Sequence, residues 1–438
     1  MNSSVHPFLD KYTRKDGTLI WGTELSKFSP RDGADDFYES FYNWPLLYLM
    51  GGSEELLTLA DQQWDAVTKQ LTELGLVHNE YEKGYDWFHQ GESYIYFYFL
   101  CMADPKNPKL IERAKRFAGL YLNEDPAVEN YDSTLKLIRA PHTGSGGPRW
   151  GTGVPKYTPT KTMAKYGLPF SDVPGINTYD DLNDPENAST MGKIMEERQG
   201  RGDVIANLAA TSLITNAYLL TGEKKYEEWV VEYVDAWISR ATDNNGLLPD
   251  NVGLSGKVGE YTNDKWYGGM YGWEWPHGFY NIAKAAIVGA TNAFLITKDS
   301  DYLNLPRTQV DHIMELGEVR NPDEEDMSLG EHWEHILNDT SNTAGTFIVP
   351  YRHSDNGWFD YQPMTPRYPT IIWHLSMHED DWKRIETIRG KSNYDWTKVH
   401  SFHTKEDAHH EAPWLRFLAG ENPDYPKSIL KASYQQVC

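Results

Sequence analysis

The sequence predicts an all-α protein, a single domain over residues 1–438 built as an (α/α)6 toroid of six helical hairpins with long loops on one face. Three observations predict it. Short polar turn signals recur along the chain: "MGGSEE" from 50, "ADPKNPKL" from 103, "TGEKKYEE" from 221, "TKDSDY" from 297 and "MHEDDW" from 377. Each reads as the tip of a helical hairpin. The stretches before the tips, such as "SYIYFYFLCMA", "VIANLAATSLITNAYLL" and "IAKAAIVGATNAFLIT", are apolar nearly all round, as buried inner helices are. The stretches after them, such as "KLIERAKRFAGLYL" and "KKYEEWVVEYVDAWISRA", alternate apolar and charged faces at helical spacing, as outer helices do.

Taken in order, five hairpins begin near residues 36, 86, 204, 277 and 368, and weaker helices near 330–338 and 404–419 supply a sixth. The connections 123–202, 242–276 and 319–367 are long and rich in Gly, Pro and aromatic residues. Long connections of this kind in a compact domain are functional or disordered, and these are too aromatic for disorder. Because the short tips occupy one face, the long connections gather on the other, at the N-terminal ends of the inner helices. There "DGADDFYESFYNWP", "GYDWFHQGESY", "RQGRGDVIAN" and "GWEWPHGFYN" bring acids, imidazoles, arginines and rings to one rim.

Composition narrows the function. The chain has 39% hydrophobic and 24% charged residues, which suits a globular protein with a large core. Its formal charge of −23 repels nucleic acid, and no lysine or arginine run relieves it. The 16 Trp and 28 Tyr offer flat apolar faces with polar tips, which suit sugar rings. Cys101 and Cys438 imply no disulfide framework. Neither a signal core nor a membrane span of roughly twenty apolar residues is read, so no membrane partner is expected, and the compartment, periplasmic or cytoplasmic, stays open. No cofactor and no metal are expected; a homodimer is left open.

The rim supplies the candidate residues. In "YGGMYGWEWPHGFYN" Tyr271, Trp273 and Trp275 are read as sugar platforms, with Glu274 and His277 as polar or acid–base groups. In "DWFHQGES" Asp86 and His89 lie three apart at a helix start and share a face, with Glu92 beside them. Asp86 also fits a helix cap. In "HTGSGGPRWGTG" Arg149 and Trp150 are placed to bind a carboxylate and stack on a ring, with Arg198 or Arg201 of "ERQGRGD" assisting. "DDFYE", residues 35–39, imitates a diphosphate-binding acidic motif but reads better as a helix start or substrate contact. "GEHWEH", with His332 and His335, lacks the spacing of a zinc motif.

The alternation of inner and outer helices, together with the aromatic and acidic rim, resembles the six-hairpin glycosidase superfamily of hydrolases and polysaccharide lyases. Its size and arginine-bearing loops are similar to uronate-acting members, the unsaturated glucuronyl hydrolases and the β-glucuronidases of glycoside hydrolase family 154. The resemblance is architectural, and no catalytic residue is carried over from it. It implies an enzyme acting on oligo- or polysaccharides that contain uronic acids.

Glycoside hydrolysis needs two carboxyl groups. Asp86 and Glu274 are expected to supply them, with His89 and His277 orienting, and Asp35, Asp36, Asp203 and Asp264 in reserve. The alternative is β-elimination, with a base among His89, His142, His277 or a tyrosine, and Arg149 neutralising the carboxylate. A sugar-binding scaffold without catalysis is a further alternative.

Overall fold

The computed structural model describes residues 4–20, 34–151, 159, 164, 167–320, 345–391 and 411–437. After α1 (Val5–Tyr12), helices come in antiparallel pairs joined by short tips. They are α2 (Asp35–Tyr38) and α3 (Asn43–Leu49) with α4 (Glu54–Glu73); α5 (Trp87–Ala103) with α6 (Pro108–Gly119); and, after α7 (Pro185–Gln199), α8 (Thr211–Thr221) with α9 (Lys224–Asp243). There follow α10 (Phe279–Thr297) with α11 (Asn304–Glu315), α12 (Arg367–Ser376) with α13 (Glu379–Lys391), and α14 (Glu411–Leu418) with α15 (Tyr425–Val437). The expected helix near 404–419 is present from Glu411, and its partner is α15; residues 330–338 lie outside the described residues.

The tips stop helices by backbone geometry. Gly222, Lys298 and Met377 each adopt a left-handed conformation at the end of α8, α10 and α12, which turns the chain and ends the helical hydrogen-bond run. Starts are equally specific: Asn107 accepts from the Lys109 N–H with Pro108 in the first turn of α6. The inner helices touch in sequence, α3 against α5, α5 against the 3-10 turn Ile205–Ala210 that leads into α8, that turn against α10, and α10 against α12. Their shared core buries Trp64, Trp87, Trp237, Trp273, Tyr38, Tyr81 and Tyr94 completely. By length and composition alone Phe279–Thr297 could cross a membrane, which the sequence reading did not anticipate; more than half of it is buried inside the protein.

The connections are more structured than expected. Besides α7, three two-stranded ladders form, β1 (Val77–His78) with β2 (Tyr81–Glu82), β3 (Tyr131–Asp132) with β4 (Leu137–Ile138), and β5 (Asp203–Val204) with β6 (Asn251–Val252). A three-stranded antiparallel sheet, β7 (Glu318–Arg320), β8 (Thr346–Ser354) and β9 (Gly357–Pro363), corrects the reading of 319–367 as loop. Nearly every residue of β8 is buried, so its sequence has no alternation to betray a strand.

The aromatic segment 267–281 is folded around one carboxylate. Asp250 accepts backbone N–H groups from Gly268 (2.7 Å), Gly269 (3.3 Å) and Trp273 (2.9 and 3.0 Å) while itself fully buried. A Cβ at Gly272 would collide with that carboxyl group, so glycine is required there. On the far side, β8 closes the bracket: the Trp273 carbonyl accepts from the His353 N–H at 3.0 Å, and Arg352 Nε donates to the Glu274 carbonyl at 2.9 Å.

Asp250→Ala leaves three buried N–H donors without an acceptor, each costing about 1–3 kcal/mol. The expected result is a loss of at least about 3 kcal/mol in urea unfolding, with Gly272→Ala failing in the same direction; an unchanged midpoint for both would show that the segment does not depend on this bracket.

Candidate active site

The first turn of α5 is built by its cap. Asp86 Oδ1 accepts from the Phe88 N–H (3.0 Å) and the His89 N–H (3.3 Å), while Oδ2 meets His89 Nδ1 at 2.7 Å. The cap and the three-residue spacing thus aim one imidazole at one carboxylate, as the sequence led us to expect. From 185 residues further along the chain, the Tyr271 hydroxyl donates to the same Oδ2 at 3.3 Å. With its lone pairs occupied, buried Asp86 is an orienting and charge-balancing group.

Electrostatics follow from this packing. Burial alone would push the Asp86 carboxyl up, but the hydrogen bond and charge of His89 outweigh it and hold it below its ordinary value. For His89, burial favours the neutral ring, yet the Asp86 bond, with the charges of Asp86, Asp35 and Glu92, raises it to about 9. The Tyr85 ring contacts two imidazoles, 4.6 Å from His89 and 5.6 Å from His142. His142 is shifted the opposite way, lowered first by burial and then by the positive charges of Arg149 and His89, against the pull of Asp86.

Two more buried acids surround the pair. Burial raises Asp35, at the start of α2, to about 7, and Glu82, in β2, to about 8, the latter with the negative charges of Asp35 and Asp86 adding to the rise. Asp35 Oδ1 and Glu82 Oε2 are buried without a hydrogen-bond partner. The sequence reading held Asp35 in reserve and missed Glu82 and Tyr85. The signal available for both was proximity to the cap, in "YEKGYDWFHQ".

The remaining expected residues divide. Tyr271 and Trp275 are half-buried, with ring centroids 6.0 Å apart, and continue the wall from Phe88 to Phe170. Trp273 is corrected: it is fully enclosed and its indole N–H donates to the Leu248 carbonyl at 2.8 Å, so it has no face for a sugar. Glu274 is also almost fully buried, and its Oε1 accepts from the Ser171 N–H (2.8 Å) and hydroxyl (2.6 Å). Burial raises its carboxyl, and its charged neighbours are Asp172 and Arg198. The structure therefore places Asp86 and Glu274 in separate hydrogen-bonded clusters, joined through the Tyr271 and Trp275 rings. His277, half-buried, takes a left-handed backbone (φ 78°) in the turn before α10.

Among the arginines, Arg198 is committed to Asp172 by two bonds of 2.8 and 2.9 Å. Arg149 is exposed, gives one bond to the Gly84 carbonyl at 2.9 Å, and bridges His142 through the backbone. Exposed Trp150 and Arg201 line an open cleft with glutamates. Asp203 is structural, accepting from Ile138, Asn207 and Tyr233; Asp264 pairs with Lys257 at 2.5 Å. The Cys101 thiol, pushed up to about 12 chiefly by burial, is inert. His332, His335 and Cys438 lie outside the described residues. Among the described residues, no group of three or more His, Cys, Asp or Glu side chains could hold a metal.

Over residues 1–438 the sequence matches the family described as Domain of unknown function (DUF8034), and the chain belongs to that family. No curated protein matches it. Among solved structures it is similar to the cellobiose 2-epimerase from Bacillus thermoamylovorans B4167, with 10% identity over 92% of this chain and 86% of that one, and a TM-score of 0.47.

The pair can be read directly by NMR titration of the imidazoles. His89 is expected to titrate near 9 and, in Asp86→Asn, to fall towards its ordinary value of 6.5, because the Asp86 bond and charge are gone and only Asp35 and Glu92 still oppose burial. The raised His89 value makes the pair's stabilisation full below about 6.5 and lost as pH rises through about 9. An unmoved His89 in the variant would show that Asp86 does not set its charge.

Proposed function

We propose that this protein is a carbohydrate-active enzyme that removes and returns protons on a sugar through its two imidazoles, His142 as base and His89 as acid. The observation that carries the reading is their opposite poise around one shared ring, Tyr85: one environment holds an imidazole neutral and the other holds it charged. Groups of one kind pushed apart in this way take the acid and base roles at a single pH. Half-buried Tyr271 and Trp275 supply flat faces for a ring, and the Asp86 carboxylate fixes which His89 nitrogen faces Asp86 and which faces the substrate.

On a uronate the chemistry is elimination. His142 takes the proton next to the carboxylate, the electron pair expels the glycosidic oxygen, and protonated His89 gives that oxygen a proton. Arg149, bridged to His142, is the residue we assign to the carboxylate. The hydrolytic reading keeps one observation in its favour, since Asp35, raised to about 7 with an unpartnered oxygen, has the character of a general acid. In that reading Asp35 replaces Asp86 as the acid of the carboxyl pair. Six helix pairs, the inner members of the first five touching in sequence, support the proposal that they close into an (α/α)6 ring.

Incubation with uronic-acid oligosaccharides separates the readings. Elimination gives an unsaturated, ultraviolet-absorbing product; hydrolysis gives new reducing ends without it; and deuterium uptake from D2O into intact sugar marks reversible proton transfer. His89→Gln is expected to cut turnover by about 10²–10⁴-fold. For the imidazole reading, kcat/KM against pH is a bell. Its acid limb falls below 6.5, where His142 becomes charged, and its alkaline limb lies near 9, where His89 loses its proton. An alkaline limb near 7 instead would assign the acid to Asp35. Full activity in His89→Gln would remove the imidazole mechanism.

A further inference from the structure

A cleft opens at Trp150, the residue after the Arg149 that pairs with His142. Trp150, Gly151, Glu196, Arg201, Glu260 and Tyr261 line the open cleft of about 460 Å³, together with Glu197 and Asn263. This lies within the ~300–1,000 Å³ of small-molecule sites. Trp150 is 52% exposed, a large ring that folding leaves in water.

The cleft is built rather than incidental. Gly151 has a left-handed backbone (φ 81°) and its N–H donates to the Gly200 carbonyl at 3.1 Å. A Cβ on Gly151 would strike the Glu196 carboxylate, and one on Gly200 would strike Gly151, so two glycines let the floor close beneath Trp150. Opposite, Glu260 is held in place by the Ser255 N–H (3.1 Å) and hydroxyl (2.5 Å).

We propose that this cleft is an outer subsite for an uncharged sugar unit of the same oligosaccharide whose reacting unit lies at His89 and His142. It rests on the carbohydrate reading of the site and deepens it by naming the substrate as a chain with a neutral outer residue. Among the described lining residues are Glu197 and Glu260, with Glu196 beside them, and Arg201 as the cation. This acidic company suits a neutral unit better than a uronate, so Arg201 is assigned a sugar hydroxyl in place of the carboxylate expected from sequence. Carboxylates accept hydrogen bonds from sugar hydroxyls, while Trp150 and Tyr261 offer apolar faces to the ring.

The glutamates do not converge on a cation among the described residues. The two sites are also close along the chain. Arg149 bridges His142, and Trp150 follows it. With paired strands about 4.5–5.5 Å apart and about 3.4 Å per residue, the Trp150 backbone lies roughly 6–9 Å from that of His142.

Calorimetry with the full chain carrying His89→Gln, so that turnover is slow beside binding, tests this. The probes are a uronate disaccharide and three tetrasaccharides that extend it, with neutral, uronate or glucosamine outer units. The tetrasaccharide with neutral outer units is expected to bind more tightly than the disaccharide. Trp150→Ala should remove that chain-length advantage, about tenfold for a lost ring stack, and Trp150→Phe should restore part of it.

Equal loss for both lengths, no loss, or no tetrasaccharide binding overturns the subsite. So does a Trp150-dependent preference for the uronate tetrasaccharide, or a salt-sensitive preference for glucosamine, the latter making the cleft a cation site. Trp150-dependent binding by a wild-type chain that turns over no sugar would keep the subsite and remove the proposed chemistry. Turnover without any Trp150 effect would do the reverse.

Discussion

The candidate site depends on a carboxylate that takes no part in it. Asp250 gathers the N–H groups of Gly268, Gly269 and Trp273, and the chain from 267 to 281 is folded about that point. Burial pushes its carboxyl up to about 8, against the downward pull of those donors, so the bracket is held by geometry as much as by charge. Once it is set, Trp273 faces the core, Glu274 faces Ser171, and Tyr271 emerges on the other side to reach Asp86. The crowding of rings in this segment is therefore partly a packing solution and partly a wall, with alternate residues assigned to each task.

The imidazole pair shows how a net charge of −23 can be put to local use. Asp35, Glu82 and Asp86 are withdrawn from water around one histidine; the Asp86 bond and charge, with Asp35 and Glu92 adding to them, keep that ring charged, while burial above all raises the Asp35 and Glu82 carboxyls. His142 lies near enough to feel Asp86 but is governed by burial and by Arg149. Two identical side chains thus acquire different protonation from which neighbours they have, and the helix cap at Asp86 is the element that separates them.

Much of the helical framework was legible in the sequence because inner and outer helices differ in composition, and that difference is imposed by water. Lys284 apart, the inner stretches have no charged side to show. The Asp86 and His89 pairing was equally legible, since a cap followed three residues later by an imidazole has one geometry. What escaped was tertiary. Trp273 and Trp275 are the same residue type two positions apart, and only the Asp250 bracket decides which is buried. Strand β8 escaped because burial on both faces erases periodicity, although "SDNG" at 354–357 is a hairpin signal that was passed over. Glu82 escaped because a buried acid has no sequence pattern of its own.

The bond from Tyr271 to Asp86 joins a loop before α10 to the cap of α5. The proposed proton-handling centre draws on both, and on the connection that carries His142. Helix content could survive heating, denaturant or a substitution in the loop while this centre is already lost. On the proposed reading competence belongs to the assembled rim, and a spectroscopic measure of helix would overstate how much competent protein is present.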